Sequence, residues 1–381
     1  MCGNTNSSLV IYVAINKTTK GKSTMKAKST KQSRTTHTYP KSTKTALAYA
    51  LAIIAMVCIA LLALSSGRYP IAFSEVVSML FDTLSSTHSA QSQQEYLQQV
   101  ILLDFRAPRV LLALIVGAGL SMCGCAFQSL FRNPLATPDI LGVTNASSFG
   151  AVLALMLGLN MVGVCAFGFC FGIVSLVLVV AVSYSRFVPL SSVSMVLSGI
   201  IISALFSSLV SLVKYLADPQ DTLPSITYWL LGSLSRVWSA QLGAGLIVVA
   251  LGCVVLFALR WKLNLLALSE EEAKSLGVNL NALRASVILS CTIIVSVSVC
   301  LCGVIGWIGL LIPHIARLLV GSENSRVLGL SAILGAGFLT LIDIISRSLS
   351  ASEIPISILS AIVGAPFFIY ILHKNKGGVR L

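Results

Sequence analysis

The chain alternates between long apolar runs and short polar breaks. Past residue 45, runs with few charges recur at 45–66, 105–131, 140–158, 162–184, 191–214, 240–260, 284–302, 305–320, 328–347 and 354–373. An apolar run of about 18 residues or more is long enough to cross a bilayer as an α-helix. The runs are continuous rather than alternating, which argues against β-barrel strands. The pattern therefore predicts an all-α polytopic membrane protein with about ten transmembrane helices. It also divides the chain into a tail over 1–44, a transmembrane domain over 45–373 and a short tail over 374–381.

One polar break differs from the rest. Residues 263–284 read LNLLALSEEEAKSLGVNLNALR, a polar island between two greasy runs. Ser269 can cap a short helix whose first turn holds Glu270, Glu271 and Glu272, where negative charge is stabilising. Gly277 is placed to end that helix. By pattern alone the island is either an ordinary solvated loop or a helical handle offered to a soluble partner.

The other breaks fall into two sets. Counting alternately from the first span places 131–139, 184–190, the island and 321–326 on the inside, and 216–224, 233–240 and 348–353 on the outside. Residues 67–104 form the first outer loop, with an interfacial helix near 71–84. The first 44 residues are rich in Thr, Ser and Lys and lack a long apolar face, which predicts disorder. Their apolar stretch at 9–15 is too short to span and has no basic residue before it, unlike a secretory signal. Met25 offers an alternative start.

Composition sharpens the class. The chain is 56% hydrophobic and 10% charged, with a mean hydropathy of +0.91. A soluble domain carries about 25% charged residues, so a water-soluble fold of this size is excluded. The net charge of +13 invites a nucleic-acid reading, but its distribution argues otherwise. Nearly all of it sits at the ends: Lys17, Lys20, Lys22, Lys26, Lys28, Lys31, Arg34, Lys41 and Lys44, with no acid among them, and Lys374, Lys376 and Arg380. Basic residues flanking the outermost spans are expected of cytoplasmic ends, and an even number of helices puts both termini there. Attraction to anionic lipid accounts for the same charge. Arg106 and Arg109 fall near the outer face, against this bias.

Little in the chain suggests chemistry of its own. Ten cysteines are present, without Cys-x-x-Cys or zinc spacing, which points to small buried hydrophobes. Gly21-Lys22-Ser23 looks like the end of a phosphate-binding loop, but Asn16 stands where that motif needs glycine. A nucleotide that drives this protein must therefore bind another subunit. Several acids buried at mid-membrane would mark an ion-driven transporter, but candidates are few, and Asp343 by this alternation sits nearer the outer end. An intramembrane enzyme would need convergent nucleophile and base, and none are visible.

Residues 106–150 hold the densest set of local signals. Pro108 is placed to start a helix after a cationic pair, and Gly117, Gly119, Ser121 and Gly124 give it a small-residue face. Asn133-Pro134 and Pro138-Asp139 then break the chain, with Asp139 at the N-terminus of the next helix. Cys123-Gly124 precedes Pro134 by the same interval that separates Cys302-Gly303 from Pro313, a faint inverted repeat. Ser198, Gly199, Ser203, Ser207, Ser208 and Ser211 suit either a channel wall or close helix packing. His314 follows Pro313 with no acid nearby in sequence, which favours a structural role over a proton relay.

These stretches resemble the permease subunits of the FecCD type, found in importers of iron chelates, haem and cobalamin. The resemblance rests on Arg106-x-Pro108-Arg109, Gln128, Arg132-Asn133-Pro134-Leu135-Ala136, Pro138 and Leu141-Gly142-Val143. It continues through Asn264-Leu265-Leu266-Ala267-Leu268, Ala273, Ser275-Leu276-Gly277-Val278 and Gly306-Trp307-Ile308-Gly309-Leu310. Pro313-His314-Ile315-Ala316-Arg317, Asp343, Arg347, Pro355 and Gly364-Ala365-Pro366-Phe367-Phe368 complete it. The resemblance implies a fold like the cobalamin-importer permease, in the bacterial inner membrane, with no cofactor bound by this chain. It implies a second permease chain, two copies of an ABC ATPase subunit and a substrate-binding protein as partners.

Roles for particular residues follow from the resemblance. The island, through Leu266, Ala267, Leu268, Glu271, Ala273, Leu276, Gly277 and Val278, corresponds to paired coupling helices seated on the ATPase. Arg106, Arg109 and Arg347 correspond to positions facing acids of the binding protein, where forked charge-assisted bonds steer docking. Asp343 lies four residues before Arg347, so mutual neutralisation is a competing account. Ser198, Gly199, Ser203 and Ser207 lie on the helix beside the translocation pathway, while Asn133, Pro134, Pro313 and His314 belong to structural motifs. Iron–siderophore complexes are the expected cargo, with haem, cobalamin and molybdate as alternatives. Pairing with itself or with a related permease stays open.

Overall fold

The computed structural model describes residues 42–67, 69, 71–85, 92–183, 192–235, 239–268, 270–350 and 352–375. The expectations for Met25, the Gly21-Lys22-Ser23 triplet, the basic residues before 42, the 184–190 segment and residues 376–381 lie outside this set.

Helix α1 (Ser42–Ser65) leads to α2 (Phe73–Ser85) and α3 (Gln93–Val100). A π-helical turn (Ile101–Arg106) joins α3 to α4 (Ala107–Leu130), and a 3-10 turn (Pro138–Leu141) precedes α5 (Val143–Met156). Then come α6 (Met161–Ser183), α7 (Ser192–Leu216), α8 (Thr222–Leu231) and α9 (Ala240–Ala258). A second 3-10 turn (Lys262–Ala267) and the short α10 (Glu270–Ser275) form an elbow before α11 (Leu280–Cys302). Helices α12 (Ile308–Val320), α13 (Asn324–Ser348) and α14 (Ile356–Asn375) follow.

Seven helical segments are long and apolar enough to cross a membrane, and three shorter apolar helices start at Val143, Ile308 and Ile356. Each falls on one of the predicted apolar runs, and no strand occurs among the described residues. The fold is an all-α polytopic membrane protein.

Two helix boundaries depart from expectation. The first outer loop holds α2 near the predicted position, but it also holds α3. Ser92 caps α3 reciprocally: its hydroxyl accepts from Glu95 N at 3.2 Å, and the Glu95 carboxylate accepts from Ser92 N at 3.3 Å. Pro108 does not start a helix. It lies inside a continuous stretch of 38 residues, Gln93–Leu130. A proline removes the N–H that would bond the carbonyl four residues back. The chain absorbs this by widening one turn just before it, where Ala107 N donates to Leu102 O in π-helical register.

Helices α4, α11 and α13 form the centre, with 78%, 72% and 61% of their most apolar windows buried, against 11% for α1. Small residues allow this closeness. A Cβ on Gly117 would lie 2.3 Å from Gly335 O, and one on Gly124 would lie 1.8 Å from Gly309 O. Thus α4 meets α13 and α12 backbone to backbone. Gly117, Ser121 and Gly124 share the predicted face, since Ser121 Oγ donates to Ser331 O on α13 at 2.7 Å. Gly119 instead faces Ile294 and Val249. The two glycines of the faint repeat differ in their surroundings. Gly124 is mid-helix, whereas Gly303 caps α11 at φ +73 against Trp229 O, so the paired glycines do different jobs.

Candidate functional site

The elbow is held from beneath and from two sides. Leu263, Leu266 and Ala273 are buried and anchor it to the core, because burying apolar side chains is the main driving force available to so short a segment. Leu268 and Val278 are half-buried. Leu276, at 60% exposure, leaves its apolar side chain uncovered, beside the exposed Gly277. Gly277 has φ +72 and ends α10, as expected, and Asn279 Oδ1 then accepts from Ala282 N at 3.1 Å to cap α11. Ser269 and the side chains of Ala267 and Glu271 lie outside the described residues.

Two neighbours fasten the elbow. Arg132, just past α4, donates from Nε to Leu266 O at 2.8 Å and from its terminal nitrogen to Leu268 O. At the start of α13, Asn324 N donates to Asn264 Oδ1 at 2.9 Å. The three breaks predicted to share one side, 131–139, the island and 321–326, therefore meet at one end of the bundle. Asn133 Oδ1 accepts from Leu135 N at 2.9 Å, which tightens the turn around Pro134.

A second constellation sits at the far end of α4, whose 24 residues span about 36 Å. Arg109 Nε donates to Asp343 Oδ1 at 2.7 Å, and its two terminal nitrogens grip Glu353 at 2.8 and 3.0 Å. Arg347 Nε stands 3.4 Å from Asp343 Oδ2, an ion contact without hydrogen-bond geometry. Its terminal nitrogen donates to Ala63 O. Arg106 reaches Leu64 O and Ser65 O at 2.7 and 2.9 Å, and also Tyr69 O. The last carbonyls of a helix lack internal partners and carry partial negative charge. Thus the end of α1 receives two of the three guanidinium groups.

The three arginines expected at the docking face thus spend these donors within the chain. Arg106, Arg109 and Arg347 are 5%, 7% and 7% exposed, and Asp343 is fully buried. A desolvated guanidinium is tolerated only when its charge and donors are satisfied, and here carboxylates and helix-end carbonyls of the same chain do so. The competing account, an Asp343–Arg347 contact, is present and extends to Arg109 and Glu353.

The predicted pathway residues are also sorted differently. Ser198 is buried, and Gly199 packs so closely on the 3-10 turn that a Cβ would lie 2.0 Å from Ile140 O. Ser203 Oγ accepts from Asn145 Nδ2 at 2.7 Å. These three lie on the packed face of α7, together with the buried Met195, Ile202 and Phe206. Ser207 falls on the exposed face. Spacing alone could not separate the faces, because the helix is apolar on both.

Pro313 and His314 lie in α12. Pro313 leaves the carbonyl of Gly309 without its helical donor. Gln128 Nε2 supplies one from α4 at 3.3 Å, and Gln128 Oε1 accepts from Arg317. His314 is buried edge-on to Phe368, 6.1 Å between ring centres, and its Nε2 has no hydrogen-bond partner among the described residues. Arg132, Gln128, Asn264, Asn324 and Glu353 carry contacts that sequence reasoning did not assign. Glu353 had a signal: it is the one acid in the 348–353 segment, opposite the anomalous Arg109.

Comparison with known proteins gives this arrangement a context. The model of the FecCD transport family matches residues 53–374. The molybdate import system permease protein MolB of Haemophilus influenzae is 40% identical over 323 residues, covering 85% of this chain and 94% of that protein. A probable iron chelatin transport system permease protein of Helicobacter pylori is 38% identical over 278 residues, covering 73% and 84%. A solved structure assigned as an inward-facing, metal-chelate type ABC transporter superposes with a TM-score of 0.75 at 38% identity, covering 87% of this chain and 99% of that one.

Proposed function

The chain belongs to the FecCD transport family, and from that premise we propose that it is the membrane-spanning subunit of an ATP-driven importer. It makes and breaks no bond itself. A separate ATPase subunit, in two copies, hydrolyses ATP. A second permease chain completes the pathway, and a substrate-binding protein delivers cargo to the end that carries Arg109, Asp343 and Glu353. The compact charged cluster serves there as a rigid base for docking rather than as free forks. Residues 1–44 and 374–381 form cytoplasmic tails flanking the transmembrane domain, in the bacterial inner membrane.

One observation carries this reading: a polar elbow with an uncovered apolar residue, Leu276, fastened to the ends of two core helices. Such a handle can pass force from a soluble motor into the bundle. Alternating access then follows as a shift between two packed states. Exposed Ser207 on α7 faces the pathway, and Ser198, Gly199 and Ser203 set the position of that helix.

The cargo we propose is an iron chelate, supported by the similarity to the Helicobacter protein and to the metal-chelate type transporter. Molybdate is a second reading, favoured by the similarity to the Haemophilus permease. Proteoliposomes holding this chain, its ATPase and its binding protein should take up one labelled cargo, a ferric chelate or molybdate, only with ATP inside the motor compartment. Uptake driven by a proton gradient without the ATPase would sink the importer reading. A chain lacking 263–284 should lose assembly with the ATPase.

A further inference from the structure

Arg132 adopts φ +50, a left-handed backbone that residues bearing a Cβ rarely take. Such a conformation persists only where the surroundings hold it. Here the end of α4 holds it: Arg132 N donates to Ser129 O and Asn133 N to Gln128 O, closing the helix, and the side chain so aimed reaches the carbonyls of Leu266 and Leu268 in the elbow. Those carbonyls bracket the point where the 3-10 turn ends and the chain swings toward α10. Bonds from a charged donor are stronger than neutral ones, and the guanidinium fork fixes direction as well as distance.

What lies behind Arg132 matters as much. α4 runs from this clamp to Arg109, whose guanidinium grips Asp343 near the end of α13. α13 begins at Asn324, which grips Asn264 of the elbow. Between these ends the two helices touch backbone to backbone at Gly117 and Gly335, and Ser121 bonds Ser331 O. The pair is thus joined at the elbow, along its length and at the far end. Close-packed elements shift as bodies rather than deform gradually.

The geometry points to Arg132 as the residue that converts displacement of the elbow into displacement of the α4–α13 pair. It is a positioning residue for transport, and its role rests on the reading of the chain as an ATP-driven permease. Without the guanidinium, the elbow keeps its seat on Leu263, Leu266 and Ala273 but slips relative to α4.

The test is the number of cargo molecules moved per ATP hydrolysed, in proteoliposomes holding the full complex and supplied with a ferric trihydroxamate or molybdate. Arg132→Gly retains the left-handed turn without steric penalty and removes only the fork. Arg132→Lys keeps the charge with a single donor centre. Arg132 is exposed, so neither change disturbs the core. The ATPase should still co-purify with both variants. The ratio should fall about 10-fold in Arg132→Gly, within the usual range of coupling between sites, and less in Arg132→Lys. An unchanged ratio overturns the proposal, and so does a proportional loss of uptake and hydrolysis, which signals fewer assembled complexes. Failure of the wild-type complex to couple uptake to ATP at all would instead overturn the functional reading beneath it.

Discussion

Gln128 shows how much a single side chain can carry. It satisfies the carbonyl that Pro313 strands at Gly309 and accepts from Arg317, so it ties α4 to α12 at two points. Gln128→Leu keeps the volume but leaves both groups unpartnered, and should lower stability by about 1–3 kcal/mol. Pro313→Ala restores a donor for the Gly309 carbonyl, so the same leucine change should cost less in that background. Thermal unfolding of the four proteins in detergent measures the difference, and strict additivity would deny the link. Asp343 is the other sensitive residue. Asp343→Asn leaves Arg109 and Arg347 sharing a buried site with Glu353 alone, and should destabilise by about 3–5 kcal/mol in the same assay. The motif residues could be picked out along the chain, but their partners could not, because Arg109 and Asp343 are 234 positions apart.

Among the elements, α7 and the elbow separate packing from function most clearly. Ser203→Ala removes the nearer of two acceptors for Asn145 Nδ2, leaving the Ser203 carbonyl at 3.4 Å, and should cost about 1 kcal/mol, whereas Ser207→Ala on the exposed face should change stability by less than about 0.5 kcal/mol. Denaturation midpoints of the two variants test the assignment of faces, and equal losses would contradict it. In the elbow, Gly277 has φ +72 with open space around it. Gly277→Ala therefore meets no steric clash and only the strain of a left-handed backbone, about 1 kcal/mol, seen as a small drop in melting temperature. The elbow was legible because its polarity breaks a long apolar context. The face of α7 was not, because a helix bounded by lipid, protein or a polar passage can place small hydroxyl residues against any of them. The uninterrupted passage through Pro108 was equally hidden, since a π-helical turn has no hydropathy signature.

Across the whole molecule, the two constellations sit at opposite ends of one closely packed helix pair, an arrangement no local segment contains. The number and order of membrane-crossing runs, the polar elbow between them and the glycine-terminated α10 were determined by the sequence alone. Each depends on a residue's own polarity or backbone freedom, summed over a short window. Only the tertiary structure decided that Arg106, Arg109 and Arg347 spend their donors within the chain, that Ser203 packs while Ser207 does not, and that Arg132 reaches the elbow. Those outcomes depend on which distant atoms approach within hydrogen-bonding distance. That proximity is set by the packing of glycine-lined helices against one another, and not by the order of residues along any one of them.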